Sequence, residues 1–259
     1  MYKNFTPLPI FRLFFGFQRL MRCAAALAGL GAGWAQANMI IETTRVIYPE
    51  ARREVSFKVV NVSKDKPAFV QMWLDDGNSA AAPEDAVTPF NLTPPIARLR
   101  ADTSQVVRLT YTGEPLPADR ESVFYFNMME VPQKSSEENK LSFAVRTRIK
   151  MFFRPKVLRG DPVGLMGQVA WKVVQKDNKW VAEANNPTPY HMSFFSVSLG
   201  QSGTYQTPVD GGMVAPMSKT SVVLGEVDKM NLPFNQLKVE YITDYGGSYP
   251  LEIPVSATP

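Results

Sequence analysis

The sequence predicts an all-β protein of two antiparallel β-sandwiches, and three observations support this prediction. Short runs alternate between apolar and polar residues with the period of two that marks a half-buried strand, as at Val55, Phe57 and Val59. Prolines and polar turn residues separate the runs. No stretch has the spacing of an amphipathic helix of three turns. With roughly seven runs in each half of the chain, two sandwiches are the favoured architecture.

Ten of the predicted strands are delimited by these runs, five in each half of the chain. The first group is 55–59, 68–74, 105–112, 122–131 and 141–153, and the second is 169–175, 180–184, 193–199, 219–224 and 237–243. Between the groups, the segment from Arg154 to Pro162 combines two prolines and a glycine with alternating charge, which is typical of a linker. We therefore expect one domain at 38–157 and a second at 158–259.

The first 37 residues have the features of a secretory signal. Arg19 and Arg22 precede a short apolar, glycine-containing run, and Ala35-Gln36-Ala37 forms a small-residue cleavage site. The apolar run spans about a dozen residues, fewer than the roughly 20 that a membrane-spanning helix needs. The sequence predicts export without a membrane anchor, and it leaves the translation start open between Met1 and Met21.

Charge and cysteine content limit the function classes. The predicted signal holds four cations (Lys3, Arg12, Arg19 and Arg22) and no acid, and these account for the whole net charge of +4. The remaining chain is balanced, which gives no indication of a nucleic-acid or membrane surface. The single cysteine, Cys23, also lies in the signal, so the exported chain has no disulfide.

The exported chain also offers little for catalysis. Its one histidine, His191, follows a turn, where we expect it to be packed or solvated and not catalytic. The paired acids Asp75-Asp76 and Glu137-Glu138 fall in turn or loop contexts, where carboxylates usually only solvate the chain. Without thiols or histidine clusters, we expect no enzyme, no metal site and no cofactor.

Several motifs occur together over the whole exported chain. They are Glu121–Asn127 running on to Glu130-Val131-Pro132, Arg148–Pro155, Asn186–Tyr190, Ile242–Gly247, Thr44-Arg45 and Thr93–Leu99. In type and order they resemble the periplasmic pilus-assembly chaperones, the PapD-like family. The resemblance implies two immunoglobulin-like sandwiches arranged as a boomerang with an interdomain cleft. It also implies a periplasmic chaperone that binds pilin subunits by donor-strand complementation and delivers them to an outer-membrane usher.

The resemblance assigns a donor strand to Leu141, Phe143 and Val145. Their alternation with Ser142, Ala144 and Arg146 projects three large apolar side chains from one face at intervals of about 7 Å. The alternative is that these side chains pack in the core of the chain itself, as alternating residues of sandwiches usually do. An exposed apolar edge strand promotes aggregation, so we expect a self-capping dimer when the chaperone is free.

The resemblance further implies two charged sites. Arg45 and Lys150 match the cations that bind the C-terminal carboxylate of the subunit, and the alternative is that both are ordinary solvated cations. Glu121, Arg154 and Asp244 match an ion network between the domains, and the alternative is three unrelated surface charges.

The connection 132–140 is polar, short and without a cysteine pair. It resembles the branch of the family with a short F1–G1 loop, which assembles thick, rod-like pili.

Two other classes of secreted all-β binding protein have features that differ from those of this chain. A pilus subunit or adhesin would usually have one sandwich, a cysteine pair and a penultimate tyrosine, and the chain instead ends Pro254–Pro259. A carbohydrate-binding module would expose an aromatic platform, whereas Trp73, Trp171 and Trp180 all lie within strand patterns and are expected to pack.

Overall fold

The computed structural model describes residues 38–131, 143–201, 203–227 and 233–258. These ranges contain eighteen strands, one four-residue α-helix and one 3₁₀ turn, so the predicted all-β class is confirmed. Within them, no helix has the length and apolar character needed to cross a bilayer. The same residues contain no cluster of three potential metal ligands.

The first sandwich is built from nine strands. They are β1 (Met39–Ile41), β2 (Arg45–Pro49), β3 (Val55–Asn61), β4 (Ala68–Asp75), β5 (Phe90–Thr93), β6 (Ile96–Leu99), β7 (Thr103–Tyr111), β8 (Ser122–Val131) and β9 (Val145–Arg154). One sheet has the order β1-β3-β7-β5 and the other β2-β9-β8-β4-β6. Alternate side chains of both sheets form one apolar core, which includes Tyr48, Val59, Leu109, Phe126 and Met151.

Strand β9 lies between β2 and β8 in its sheet. It pairs in parallel with β2, with Arg45 opposite Lys150, and antiparallel with β8 from Val145 to Phe153. Its last residue is Arg154, which was expected to begin the linker. The strand ends there because Pro155 has no backbone N–H with which to continue the ladder.

A short connection leads into the second half of the chain. It contains helix α1 (Pro162–Leu165) and a 3₁₀ turn (Met166–Gln168). The side chain of Asp161 caps α1 by accepting a hydrogen bond of 3.0 Å from the Val163 N–H, and Pro162 occupies the first turn, where its missing N–H costs nothing.

The second sandwich also has nine strands. They are β10 (Ala170–Lys176), β11 (Lys179–Asn186), β12 (Met192–Gln201), β13 (Thr204–Tyr205), β14 (Val209–Val214), β15 (Ser218–Glu226), β16 (Gln236–Ile242), β17 (Ser248–Pro254) and β18 (Ala257–Thr258). One sheet has the order β15-β11-β10-β18 and the other β13-β12-β16-β17, with β14 also paired to β12. In its core, the Trp171 indole N–H donates to the Tyr241 hydroxyl at 2.8 Å, and burial raises the pKa of Tyr241 to about 12.

Candidate functional site

Strand β9 carries the residues of the candidate site on both of its faces. Ile149, Met151 and Phe153 pack against or within the core of the first sandwich. Most residues of opposite parity, among them Arg148 and Lys150, are charged and project from the other face of the sheet, whereas Phe152 on that face is apolar and buried. One strand therefore connects the core with the charged groups described below.

The predicted donor residues lie at and before the start of β9. Phe143 is 73% exposed and Val145 is 44% exposed, so neither belongs to the buried core. Both have the same parity as Ile149 and Met151, which means that the exposed apolar face continues the core-facing side of the strand. Leu141 lies outside the described residues.

The two predicted carboxylate-binding cations are brought together by the pairing of β2 with β9. Arg45 is only 8% exposed, and its Nη1 donates to the Ile242 carbonyl at 3.2 Å. Its Nε is buried and has no hydrogen-bond partner in the part of the chain that the structure describes. Over the same residues, the Lys150 ammonium makes no hydrogen bond or ion pair.

The electrostatics of this pair favour an anion. Burial lowers the pKa of Lys150, and the neighbouring charge of Arg45 lowers it further. Burial likewise lowers the pKa of Arg45, against a smaller opposing contribution from Asp244. Two partly desolvated like charges have lost solvation without gaining a counter-ion. A carboxylate between them would restore both charge compensation and hydrogen bonding.

A turn of the second sandwich approaches Arg45 closely. Gly246 has a φ of +82°, and a Cβ at this position would collide with the Thr44 hydroxyl. Both the backbone conformation and the lack of space for a side chain therefore require glycine here. The carbonyl of Ile242, at the end of β16, also accepts a hydrogen bond from the Arg45 guanidinium, so the second sandwich contacts both Thr44 and Arg45.

The three predicted network residues contact one another. The Arg154 guanidinium donates to Glu121 at 2.8 Å and to both oxygens of Asp244 at 2.8 and 3.2 Å. Glu121 precedes β8, and Asp244 follows β16, so one side chain joins acids from the two sandwiches. The Glu121 side chain is 2% exposed, and Arg154 also lies over the Tyr190 ring at 5.0 Å.

The position of His191 at this junction was not predicted. Its backbone N–H donates to Glu121 Oε2 at 2.9 Å, its Nδ1 lies 3.4 Å from the same oxygen, and its ring is 5.3 Å from that of Phe152. No local motif signals this contact, because Glu121 is 70 positions away.

The expectation that Asp75 only solvates a turn is wrong. Strand β4 extends one residue beyond the predicted end and places Asp75 in the sheet, where it is 1% exposed and paired with Arg148. The partner is 73 positions away, beyond the reach of a local pattern. Trp73 and Trp171 are buried, as the strand patterns predicted, and Trp180 packs against Phe234.

The fold is that of a protein of two β-sandwiches, and comparisons with known proteins identify its family. The N-terminal domain of PapD, a pili and flagellar-assembly chaperone, matches residues 38–159. The C-terminal domain of the pili assembly chaperone PapD matches residues 165–253. Together these matches cover most of the chain. The chain therefore belongs to the PapD family of pilus-assembly chaperones.

Individual relatives agree with this assignment. The chain is 37% identical to the chaperone protein FimB/FhaD of Bordetella pertussis over 90% of this chain and 94% of that protein. It is 38% identical to the probable fimbrial chaperone YadV of Escherichia coli over 82% and 87%. The crystal structure of the Pseudomonas aeruginosa CupB2 chaperone has a TM-score of 0.69 at 35% identity and covers 84% and 100%.

A chain from the complex of the Salmonella enterica SafA pilin with the SafB chaperone matches at 24% identity with a TM-score of 0.70, over 86% of this chain and 98% of that chain. At this identity the likeness supports the fold alone. Membership in the family makes the protein a fimbrial chaperone and not an enzyme.

Removing Arg154 should destabilise the protein far more than removing an exposed arginine nearby. Arg154→Ala leaves the buried Glu121 carboxylate without its charged partner, which should lower the free energy of unfolding by about 3–5 kcal/mol. The matched control is Arg120→Ala, which removes an exposed pair with Asp119 and should leave stability nearly unchanged, because solvent screens that pair. Urea denaturation measures the free energy of unfolding of both variants. Equal losses would show that the buried pairing of Arg154 with Glu121 stabilises the protein no more than the exposed pair does.

Proposed function

We propose that this chaperone acts in the periplasm, holds one pilin subunit by donor-strand complementation and passes it to an outer-membrane usher. The predicted signal at 1–37 supports export. The family and its relatives, which are named fimbrial chaperones, support a pilus subunit as partner. SafB, a chaperone of the same fold, forms its complex with a pilin, and we infer the same class of partner here.

The observation that carries the proposal is the spacing, along β9 and the residues just before it, of exposed apolar side chains and a partly desolvated cation. Exposed apolar side chains stand at Phe143 and Val145, and the partly desolvated cation Lys150 follows five residues after Val145. Five residues of strand span about 17 Å. A client can therefore pair one of its strands with β9 and place its terminal carboxylate between Lys150 and Arg45. In the same arrangement, the hydrophobic groove of the client subunit receives Val145 and Phe143.

The two features have different energetic roles. Burial of Phe143 and Val145 contributes about 1.5–3 kcal/mol each, and Leu141 adds a similar amount if the client covers it. The carboxylate contact contributes about 1.5–3 kcal/mol, but it also fixes the register. Register matters because a slip by one residue would turn the apolar face away from the groove.

The remaining predicted residues support this arrangement. We assign the network of Glu121, Arg154 and Asp244 the role of fixing the orientation of the domains 38–157 and 158–259, with the cations in the boomerang cleft between them. Since Phe143 and Val145 are uncovered without a client, we propose that two free chaperones cap each other through these strands. The connection 132–140 lies outside the described residues, and its short, cysteine-free sequence supports assigning the chain to the short-loop branch of the family.

A charge introduced at Phe143 should abolish client binding without unfolding the chaperone. Phe143→Glu places a carboxylate in an apolar groove, and its desolvation costs several kcal/mol. The matched control is Ala144→Glu, which adds the same charge one residue away, on the opposite face of the strand, and should leave binding nearly unchanged. Co-purification of pilin from the periplasm measures binding, and circular dichroism measures the fold. Unimpaired binding by Phe143→Glu would refute donation by this strand.

Removing Lys150 should weaken client binding by roughly 10- to 150-fold, the equivalent of one charge-assisted hydrogen bond. The probe is the C-terminal peptide of the pilin that co-purifies with the protein, as a free acid and as an amide. Amidation should weaken binding to the wild type but have little effect on Lys150→Ala, because the partner charge is already missing. Additive losses would show that Lys150 does not contact the carboxylate.

The pH dependence of peptide binding provides a control for this cycle. Because the pKa of Lys150 is lowered in the free protein, the ammonium deprotonates at a lower pH than an ordinary lysine. Affinity for the free-acid peptide should therefore fall as pH rises through that pKa, and affinity for the amide should show no such fall.

A further inference from the structure

A cluster of polar and charged side chains lies on the face of β9 opposite to Phe143 and Val145. It consists of Asp75 at the end of β4, Asn127 on β8, and Arg146 and Arg148 on β9. We call these four residues the Asp75 cluster. It therefore spans three adjacent strands of one sheet, and none of its members belongs to the proposed client-binding residues.

Asp75 is the buried acceptor of the cluster. Its carboxylate accepts hydrogen bonds from Arg148 Nε at 3.0 Å, from Asn127 Nδ2 at 2.8 Å and from the Gly77 N–H at 2.8 Å. Burial alone would raise its pKa, but the hydrogen bonds from Arg148, Asn127 and Gly77 outweigh burial and lower it. The carboxylate is therefore fully ionised at neutral pH and is compensated within the protein.

Arg146 connects the start of β9 to this acceptor and to two other segments. Its Nε and Nη2 donate to Asn127 Oδ1 at 3.0 and 2.8 Å, and its Nη1 donates to the Ser79 carbonyl at 2.7 Å. Its guanidinium also lies 4.9 Å from the centre of the Trp73 ring and 3.4 Å from Asp75. A planar fork held from several sides leaves this side chain little freedom.

The start of β9 has few other contacts that could keep it in place. Phe143 and Val145 are exposed, so the apolar packing that holds Met151 and Phe153 is absent at this end. On the opposite face, the Asp75 cluster supplies the contacts instead. A strand segment held only by its backbone ladder would open readily, because local stability follows local packing.

We propose that the Asp75 cluster is a positioning device, which holds residues 145–148 at the start of β9 of the free chaperone in the register that presents Val145, and Phe143 just before it, to a client. This inference rests on the proposed function of β9 as a donor strand. The cluster also excludes a slipped register, since a shift by one residue would turn Arg146 toward the client and an apolar side chain onto Trp73.

The effect can be expressed as a population. The apparent dissociation constant equals the intrinsic value divided by the fraction of chaperone whose donor segment is ordered. If loss of the cluster lowers that fraction to about one tenth, client affinity falls about 10-fold and the amides of this segment lose their protection from hydrogen exchange in parallel. A residue with only a general structural role would not produce matching changes in these two quantities.

The test compares Arg146→Ala with Arg98→Ala in the full-length exported protein. Arg98 is the matched control because it also lies over an aromatic ring, that of Phe69 at 5.4 Å, at the far edge of the same sheet. For Arg146→Ala we expect hydrogen exchange at 145–148 to accelerate about 10-fold, with 149–153 unchanged, and binding of the co-purifying pilin to weaken by the same factor. Arg98→Ala should change neither quantity.

Two further variants make the outcome decisive. Arg146→Lys keeps the charge but loses the planar guanidinium, so it should retain only part of the protection from hydrogen exchange and part of the affinity for pilin. Asp75→Asn, if it folds, should affect the same amides, and exchange is measured without a client. The inference is overturned if Arg146→Ala leaves exchange at 145–148 unchanged, or if exchange accelerates while pilin binding does not weaken. If instead Phe143→Glu binds pilin normally, the proposed function itself fails, and this inference fails with it.

Discussion

The structure depends on the continuity of a single strand. β9 contributes Met151 and Phe153 to the core, places Lys150 beside Arg45, and ends at Arg154, which joins the two sandwiches. Because side chains alternate along a strand, its register fixes all of these positions at once. A shift in the register of β9 would therefore change the spacing between the exposed apolar side chains and the cations, and the faces of the sheet on which they lie.

Charged groups in this protein differ in whether the fold compensates them. Asp75 and Glu121 are buried and have arginine partners, so their charges are neutralised internally. Arg45 and Lys150 are also partly desolvated, but within the described part of the chain they contact no acid, and their pKa values are lowered. Compensated pairs fix geometry, and an uncompensated pair is available to a ligand. This contrast separates the residues that organise the protein from those proposed to bind its client.

The sequence predicted the fold class and ten of the strands, because long alternating runs such as Ser122–Val131 are recognisable locally. It missed short strands such as Met39–Ile41, which contain too little alternation, and Arg45–Pro49, whose partner lies over 100 residues away. The motifs named Arg45 and Lys150. Their desolvation and the burial of Asp75 followed only from the structure, because both result from contacts between residues distant in the chain.

The central claim is that one face of the start of β9 enters the client, and a cysteine scan tests it most directly. The only native cysteine, Cys23, lies in the predicted signal, so single variants can be labelled without background. In the complex with pilin, Phe143→Cys and Val145→Cys should be protected from a maleimide, whereas Ala144→Cys should remain reactive. Protection of all three, or reactivity at the first two, would contradict strand donation in this register.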